Sequence, residues 1–335
     1  MTRQLDNFDR RKNYIILAEN AYLQGNREKA VKFYIRALKF KGSKTDNIQI
    51  LYNIAIIYDE LDNPQMALKT FKKIISIDKR QAGAFYGMAT MYERLEDKRK
   101  ALKLYFKAVE IDPNYDRAYF YIANLYDEME DKNKAIYYYK KVISLNPKDY
   151  IAYNNLGSIY EELKDYDKAY NMVKRSIEIS PNYYKALFNM GVIYKKINNH
   201  KKAVEYYDKS IENNKNYADA YLNKSAIYIE EEKLQQSIEV LTEGIKYNPY
   251  AKYLYYNRAC CYARLDETDK SIKDLRKALI IYPKIIEMIE VDEDLNILRK
   301  DERFVALLNQ KREDVWLYNV FLVYIKIELY IERKR

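Results

Sequence analysis

Few side chains in this 335-residue chain are of the kinds that carry out reactions, and their spacing argues against a reaction centre. His200 is the only histidine, in a short polar stretch between two apolar-periodic segments, where a lone imidazole is a solvated surface group. Cys260 and Cys261 are adjacent. Neighbouring cysteines on one helix do not form an ordinary disulfide, and the sequence places no histidine or further cysteine near them to complete a metal site. The pair therefore points to a reducing, cytoplasmic setting. There is no glycine-rich phosphate loop and no G-x-S-x-G nucleophile turn. The inventory predicts a protein that is not an enzyme and uses no cofactor or metal.

What remains is polar side chains that recur. Asn53, Asn155, Asn189, Asn223 and Asn257 occupy one register position, the last four at intervals of 34 residues. A carboxamide offers both a donor and an acceptor. A row of them at regular rise can hydrogen-bond the backbone of an extended peptide whatever its side chains. Ile16, Gly87 and Tyr121 interrupt the row. A second column carries charge: Asp59–Glu60, Glu93–Arg94, Asp127–Glu128 and Glu161–Glu162, then a switch to Lys195–Lys196. Asp59, Glu93, Asp127 and Glu161 thus suggest an acidic end that steers a basic segment, each exposed pair contributing little.

The elements that must position these residues follow from one period. Ala67, Ala101, Ala135, Ala169 and Ala203 are 34 apart, and Ser237 and Ser271 continue the count. Ala30 belongs to the same series but lies 37 before Ala67, so three extra residues fall around Lys41–Asn47. Nine residues before each marker from Ala67 onward stands a tyrosine, for example Tyr92, Tyr126 and Tyr160; three before that comes a small residue such as Ala89 or Gly191. A large apolar residue leads each unit (Tyr14, Leu51, Phe85, Tyr119, Tyr153, Leu187, Tyr221, Tyr255), and four residues after the marker comes another, such as Tyr34, Phe71, Tyr105, Tyr139 or Tyr207. These spacings form two helical stripes per unit. Asn26, Asn63, Asp97, Asp131, Asp165 and Asn199 stand where a side-chain oxygen can cap the second helix. Units often close on proline, which cannot extend a helix. One such hairpin cannot bury its stripe alone, so neighbours must stack.

The pattern resembles the tetratricopeptide repeat (TPR) family. Residues 152–181, AYNNLGSIYEELKDYDKAYNMVKRSIEISP, carry nearly the whole motif. The resemblance implies an all-α, right-handed superhelix, or solenoid, of antiparallel helix hairpins whose first helices line a concave face that holds a peptide or partner helix. Eight units can be placed over 11–283, at about 11–47, 48–81, 82–115, 116–149, 150–183, 184–217, 218–251 and 252–283, after an extension over 1–10. Residues 284–314 read as a cap in which Leu295, Leu298, Phe304 and Leu307 cover the last hairpin. Residues 315–335 are an apolar segment expected to pack on the array or on a partner, with membrane association through 315–331 as the alternative; a membrane span needs about 20 apolar residues. The carboxylate clamp of chaperone-binding members is out of register: Ile15 and Glu19 stand where it would place lysine and asparagine, and Lys185 with Asn189 supplies fragments only.

Composition agrees. Seven glycines and six prolines suit helices rather than linkers. The opening residues carry no apolar run, which predicts no secretory signal. Net charge is +10, supplied largely by lysines of the second helices such as Lys72, Lys73, Lys140, Lys141, Lys201 and Lys202. Those lysines are interleaved with glutamates, so nucleic acid ranks below protein as a partner. The expected function is a non-catalytic scaffold binding a protein or peptide ligand. The alternatives are a sensor or regulatory subunit whose output lies on another protein, and an RNA-binding repeat protein. The sequence does not specify the ligand or the oligomeric state.

Overall fold

The computed structural model of the chain describes residues 7–309. Among them are helices and connecting turns and no strand. The 315–335 segment lies outside the described residues.

Contacts group the chain into two units, Met1–Ile159 and Tyr160–Arg335. The first unit holds the hairpins α1 (Asn7–Leu23)/α2 (Arg27–Ala37), α3 (Lys44–Glu60)/α4 (Pro64–Ile77), α5 (Ala82–Arg94)/α6 (Lys98–Ile111) and α7 (Asp116–Glu128)/α8 (Lys132–Leu145), and most of α9 (Tyr150–Glu162). The second holds α10 (Tyr166–Ile179), then α11 (Tyr184–Lys196)/α12 (His200–Asn213), α13 (Ala218–Glu230)/α14 (Leu234–Tyr247) and α15 (Lys252–Arg264)/α16 (Thr268–Ile281). Within each unit, second helices also pack on the first helix of the next hairpin, as α4 does on α5 and α14 on α15. This is the stacked-hairpin construction of an α-solenoid.

The marker residues explain the close packing. Ala30, Ala67, Ala101, Ala135, Ala169 and Ala203 are fully buried, as are their partners Ala18, Ala55, Ala89 and Ala123 on the first helices. A residue without a long side chain lets two helices approach. Where serine replaces the marker its hydroxyl is satisfied: Ser271 Oγ donates to Ala259 O at 2.8 Å, and Ser237 Oγ lies 3.5 Å from Cys261 Sγ. All six expected capping residues accept a backbone N–H three residues on, at 3.0 to 3.2 Å. The turn before each cap uses left-handed backbone. Gly25 provides it in the first hairpin (φ 79°), but Asp62, Glu96, Glu130, Lys164, Asn198, Glu232 and Asp266 adopt it without being glycine.

The first junction is built differently. The three extra residues are absorbed by a longer α3, and Arg11 clasps the connection. Its guanidinium, in a residue only 4% exposed, donates to Ala37 O (3.3 Å), Phe40 O (2.9 Å) and Asn47 Oδ1 (2.8 Å). Gly42 lies against it where a Cβ would stand 2.3 Å from the guanidinium carbon. Because α1 starts at Asn7, part of the expected 1–10 extension is the first turn of that helix. At the other end a 3₁₀ stretch, Glu293–Lys300, and helical residues 302–309 close the last hairpin. Leu295, Leu298, Phe304 and Leu307 are buried there in one core with Tyr255, Ala259, Leu275 and Leu279.

Candidate partner-binding surface

The asparagine column lies on the first helices, and each of its five members is half-buried. In the first unit those carboxamides serve the fold. Asn53 Nδ2 donates to Tyr34 Oη at 3.2 Å, and Asn155 Nδ2 donates to Tyr139 Oη at 3.2 Å. Both tyrosines stand four residues after the marker alanine of the preceding hairpin. The asparagines' oxygens accept from Gln49 (3.3 Å) and Asn154 (3.3 Å). The interruptions have the same origin. At Gly87 a Cβ would lie 2.3 Å from the Phe71 ring, which fills the place an asparagine would take. Tyr121 stacks on Tyr105 with centroids 5.5 Å apart. So residue type along this column follows the ring beneath it.

In the second unit the arrangement changes. Asn223 Nδ2 donates to Asp219 O, one turn back on its own helix, at 2.9 Å. The Tyr207 ring that precedes it is fully buried, and its hydroxyl has no hydrogen-bond partner. Asn189 follows Val173 and Asn257 follows Leu241, side chains with no hydroxyl to bind.

The acidic column is partly consumed by pairing. Asp59 pairs with Arg94 of the next hairpin, and Arg94 also reaches Asp62. Asp127 receives Lys132 Nζ at 2.8 Å. Glu93 accepts from Tyr105 Oη, and burial chiefly, aided by the nearby Glu128, pushes its carboxyl above the ordinary range. Glu161 is likewise raised by burial, against the opposing pull of Lys196. Neighbouring charges join adjacent hairpins: Arg27–Glu60 (2.7 Å), Lys98–Glu128 (2.8 Å), Lys195–Glu230 (2.7 Å) and Arg264–Glu232 (2.5 Å). His200 belongs to this set. It opens α12 and its Nδ1 lies 3.2 Å from Glu231 Oε1 of the following hairpin, so it is a linking residue rather than only a solvated one.

Tetratricopeptide repeat sequences match residues 48–81, 82–115, 116–149, 149–216, 218–250 and 253–285. The chain belongs to the tetratricopeptide repeat family. Proteins of this family are scaffolds for protein interaction and in general not catalysts, and this chain has that construction. No curated protein sequence matches it. Among solved structures, a tetratricopeptide repeat protein from Parabacteroides merdae is similar over 74% of this chain and 97% of its own (15% identity, TM-score 0.57). PilF of Pseudomonas aeruginosa is similar over 64% and 96% (19% identity, TM-score 0.54). At these identities the likeness is one of fold.

Two features of this TPR chain went unread in the sequence. The lysine just before the marker residue lies over the tyrosine eight residues earlier, in Lys100–Tyr92 (5.3 Å), Lys134–Tyr126 (4.9 Å), Lys168–Tyr160 (5.4 Å), Lys202–Tyr194 (5.0 Å) and Lys270–Tyr262 (5.3 Å). Three of these lysines also pair with the capping aspartate, at 2.5 to 2.7 Å. These five lysines are thus engaged within their own hairpins, and the eight-residue spacing was the signal. The other concerns Cys260. Its Sγ lies 3.6 Å from Asp292 Oδ2, and Asp294 is close enough that the three could share a cation. Both aspartates lie more than 30 residues away in the cap, out of reach of local pattern reading. Burial, with Asp292 and Asp294 alongside, pushes the thiol pKa up, Tyr256 Oη donates to Asp292, and Arg264 lies 3.9 Å from Asp294. The grouping reads as a neutral thiol bonded to a carboxylate. Among the described residues no helix is long and apolar enough to cross a membrane.

Proposed function

We propose that this chain is a non-catalytic scaffold that holds an extended peptide segment of a partner protein along its first helices. In this reading Asn189, Asn223 and Asn257 of the second unit contact the partner's backbone. Asn53 and Asn155 act mainly as bonds between hairpins. The observation that carries the proposal is the contrast at Asn223. Its NH2 group is tied to its own helix, which leaves Oδ1 as an acceptor for a peptide N–H. The predicted acidic end takes a smaller part, because Asp59 and Asp127 are already ion-paired and Glu93 and Glu161 are held toward their neutral forms. Two buried, unpaired thiols suit a reducing cytoplasm. Local pairing of the lysines speaks against a nucleic-acid surface, and a regulatory subunit acting through a separate output protein would use this same surface.

The test compares capture of partners from native extract, identified by mass spectrometry, by the full chain and by its Asn189→Ala/Asn223→Ala/Asn257→Ala variant. Three lost hydrogen bonds weaken binding by about tenfold or more. Undiminished capture by a variant of equal helicity overturns the proposal.

A further inference from the structure

Equivalent positions on the eight first helices make one rung stand out. The position one residue after the small residue of each first helix holds Glu19, Ile56, Thr90, Asn124, Ser158, Val192, Ala226 and Cys260. Only Glu19 is charged. It borders a cleft of about 310 Å³ between α1 and α3 that is otherwise lined by Tyr22, Tyr34, Asn53, Ile56 and Ile57. The lining contains one carboxylate and no base. Glu19 is exposed, and no salt bridge engages it among the described residues, unlike Glu60 nearby, which holds Arg27 and Tyr22. Ile56 remains 51% exposed on the cleft although it is a large apolar side chain. Ile57 and Tyr34 form a buried floor.

An apolar trough ending at a single unpaired carboxylate has the shape and charge that suit a long aliphatic cation. The methylene stem covers apolar surface while the charged head reaches an acceptor. The neighbouring polar groups point the same way. Asn53 already donates to Tyr34 Oη and accepts from Gln49, and Tyr22 Oη donates to Glu60, which leaves Glu19 as the charged acceptor of the lining. Burial and the nearby Glu19 both raise the Tyr34 hydroxyl above its ordinary pKa, consistent with a carboxylate facing that ring.

We propose that the cleft between α1 and α3 receives a lysine or arginine side chain of the partner peptide, its stem on Ile56, Ile57 and Tyr22 and its cation on Glu19. This deepens the scaffold reading and rests on it. Specificity for a basic residue then resides at the first junction, one rung before the column of Asp59, Glu93, Asp127 and Glu161.

Selection from a displayed library of random heptapeptides tests this with the full chain, Glu19→Gln and Glu19→Lys. Position 19 is exposed, so both variants keep the fold, which far-ultraviolet circular dichroism checks. The wild type enriches peptides with lysine or arginine beside leucine, isoleucine or phenylalanine. In Glu19→Gln that preference falls, and a selected peptide discriminates lysine from norleucine about fivefold less well, the size of one partly exposed charge pair. In Glu19→Lys the preference turns to aspartate and glutamate. Peptides enriched without cationic bias, or with the same bias in Glu19→Gln, overturn the cleft assignment and leave the scaffold reading standing. Failure of the wild type to enrich any peptide overturns both.

Discussion

Tyr139 in the first unit and Tyr207 in the second stand at the same place in their hairpins, four residues after the marker alanine, and both are buried. Tyr139 Oη donates to Asn124 Oδ1 and accepts from Asn155. Tyr207 Oη has no partner. The ring is not the variable; the first helix of its own hairpin is. Where the fourth hairpin offers Asn124, the sixth offers Val192, and where the third offers Glu93 to Tyr105, the sixth offers Lys195, a donor already held by Glu230 at 2.7 Å. A register position fixes where an aromatic side chain packs, but its polar atom depends on a second column that varies independently. An unmade bond to a buried hydroxyl costs about 1–3 kcal/mol, so the sixth hairpin carries a local weakness that the fourth lacks.

The largest way to break this comparison is at Gly191. The corresponding residues of the third and fourth hairpins are Ala89 and Ala123. At Gly191 a Cβ would lie 2.6 Å from the Tyr207 ring and 3.2 Å from Ala203 O, so the ring sits nearer the first helix of its hairpin, α11, than alanine permits. Gly191→Ala is expected to destabilise by about 1–3 kcal/mol through overpacking, read by urea unfolding; a neutral result would mean that Tyr207 shifts freely. Next in size is a paired test. Tyr139→Phe strips partners from Asn124 and Asn155 and should cost about 1–2 kcal/mol. Tyr207→Phe removes only an unpaired hydroxyl and should be neutral or slightly stabilising. Equal losses would show that the two rungs are alike. Val192→Asn copies the acceptor of the fourth hairpin into the sixth and should raise stability by up to about 1 kcal/mol, a gain that Tyr207→Phe abolishes.

How much was legible in the sequence follows the same division. Small residues, leading aromatics and capping aspartates recur because each acts within one hairpin, so the 34-residue period exposed both the helices and their caps. The asparagine column was visible as a row, but its use was not. Asn53 and Asn155 bond tyrosines 19 and 16 residues earlier, and only the three-dimensional stack brings those side chains together. The reason for Gly87 was hidden in the same way, since it lies in Phe71. The acidic column read as an open surface because its cations lie on other helices: Arg94 on the first helix of the next hairpin and Lys132 at the start of the second helix of the same hairpin. Glu19 could have been found by lining up all eight equivalent positions and looking for the lone charge. The Cys260 surroundings could not, because they depend on how the cap folds back.

The smallest effect tests the acceptor that satisfies Tyr105, another bonded ring of the first unit. Glu93 is held above the ordinary glutamate pKa of 4.5, mainly by burial, against the lowering effects of Tyr105 and Lys98. The folded state therefore keeps this proton to a higher pH than the unfolded chain does. Its favourable contribution is present below the ordinary glutamate range and is lost as pH rises through the raised folded value. Glu93→Gln still offers Tyr105 an acceptor but cannot ionise, so it should be more stable than the parent at pH 7 and nearly equal to it at pH 4, by thermal unfolding at both. Asp97, four residues on, has the opposite sign. Lys100 bonds its carboxylate and lowers its pKa, so its contribution is present above the ordinary aspartate range and fades as pH falls. Asp97→Asn should accordingly weaken the protein at pH 7 and less so in acid. Matching pH profiles for the two variants would mean that burial, not pairing, governs both carboxylates.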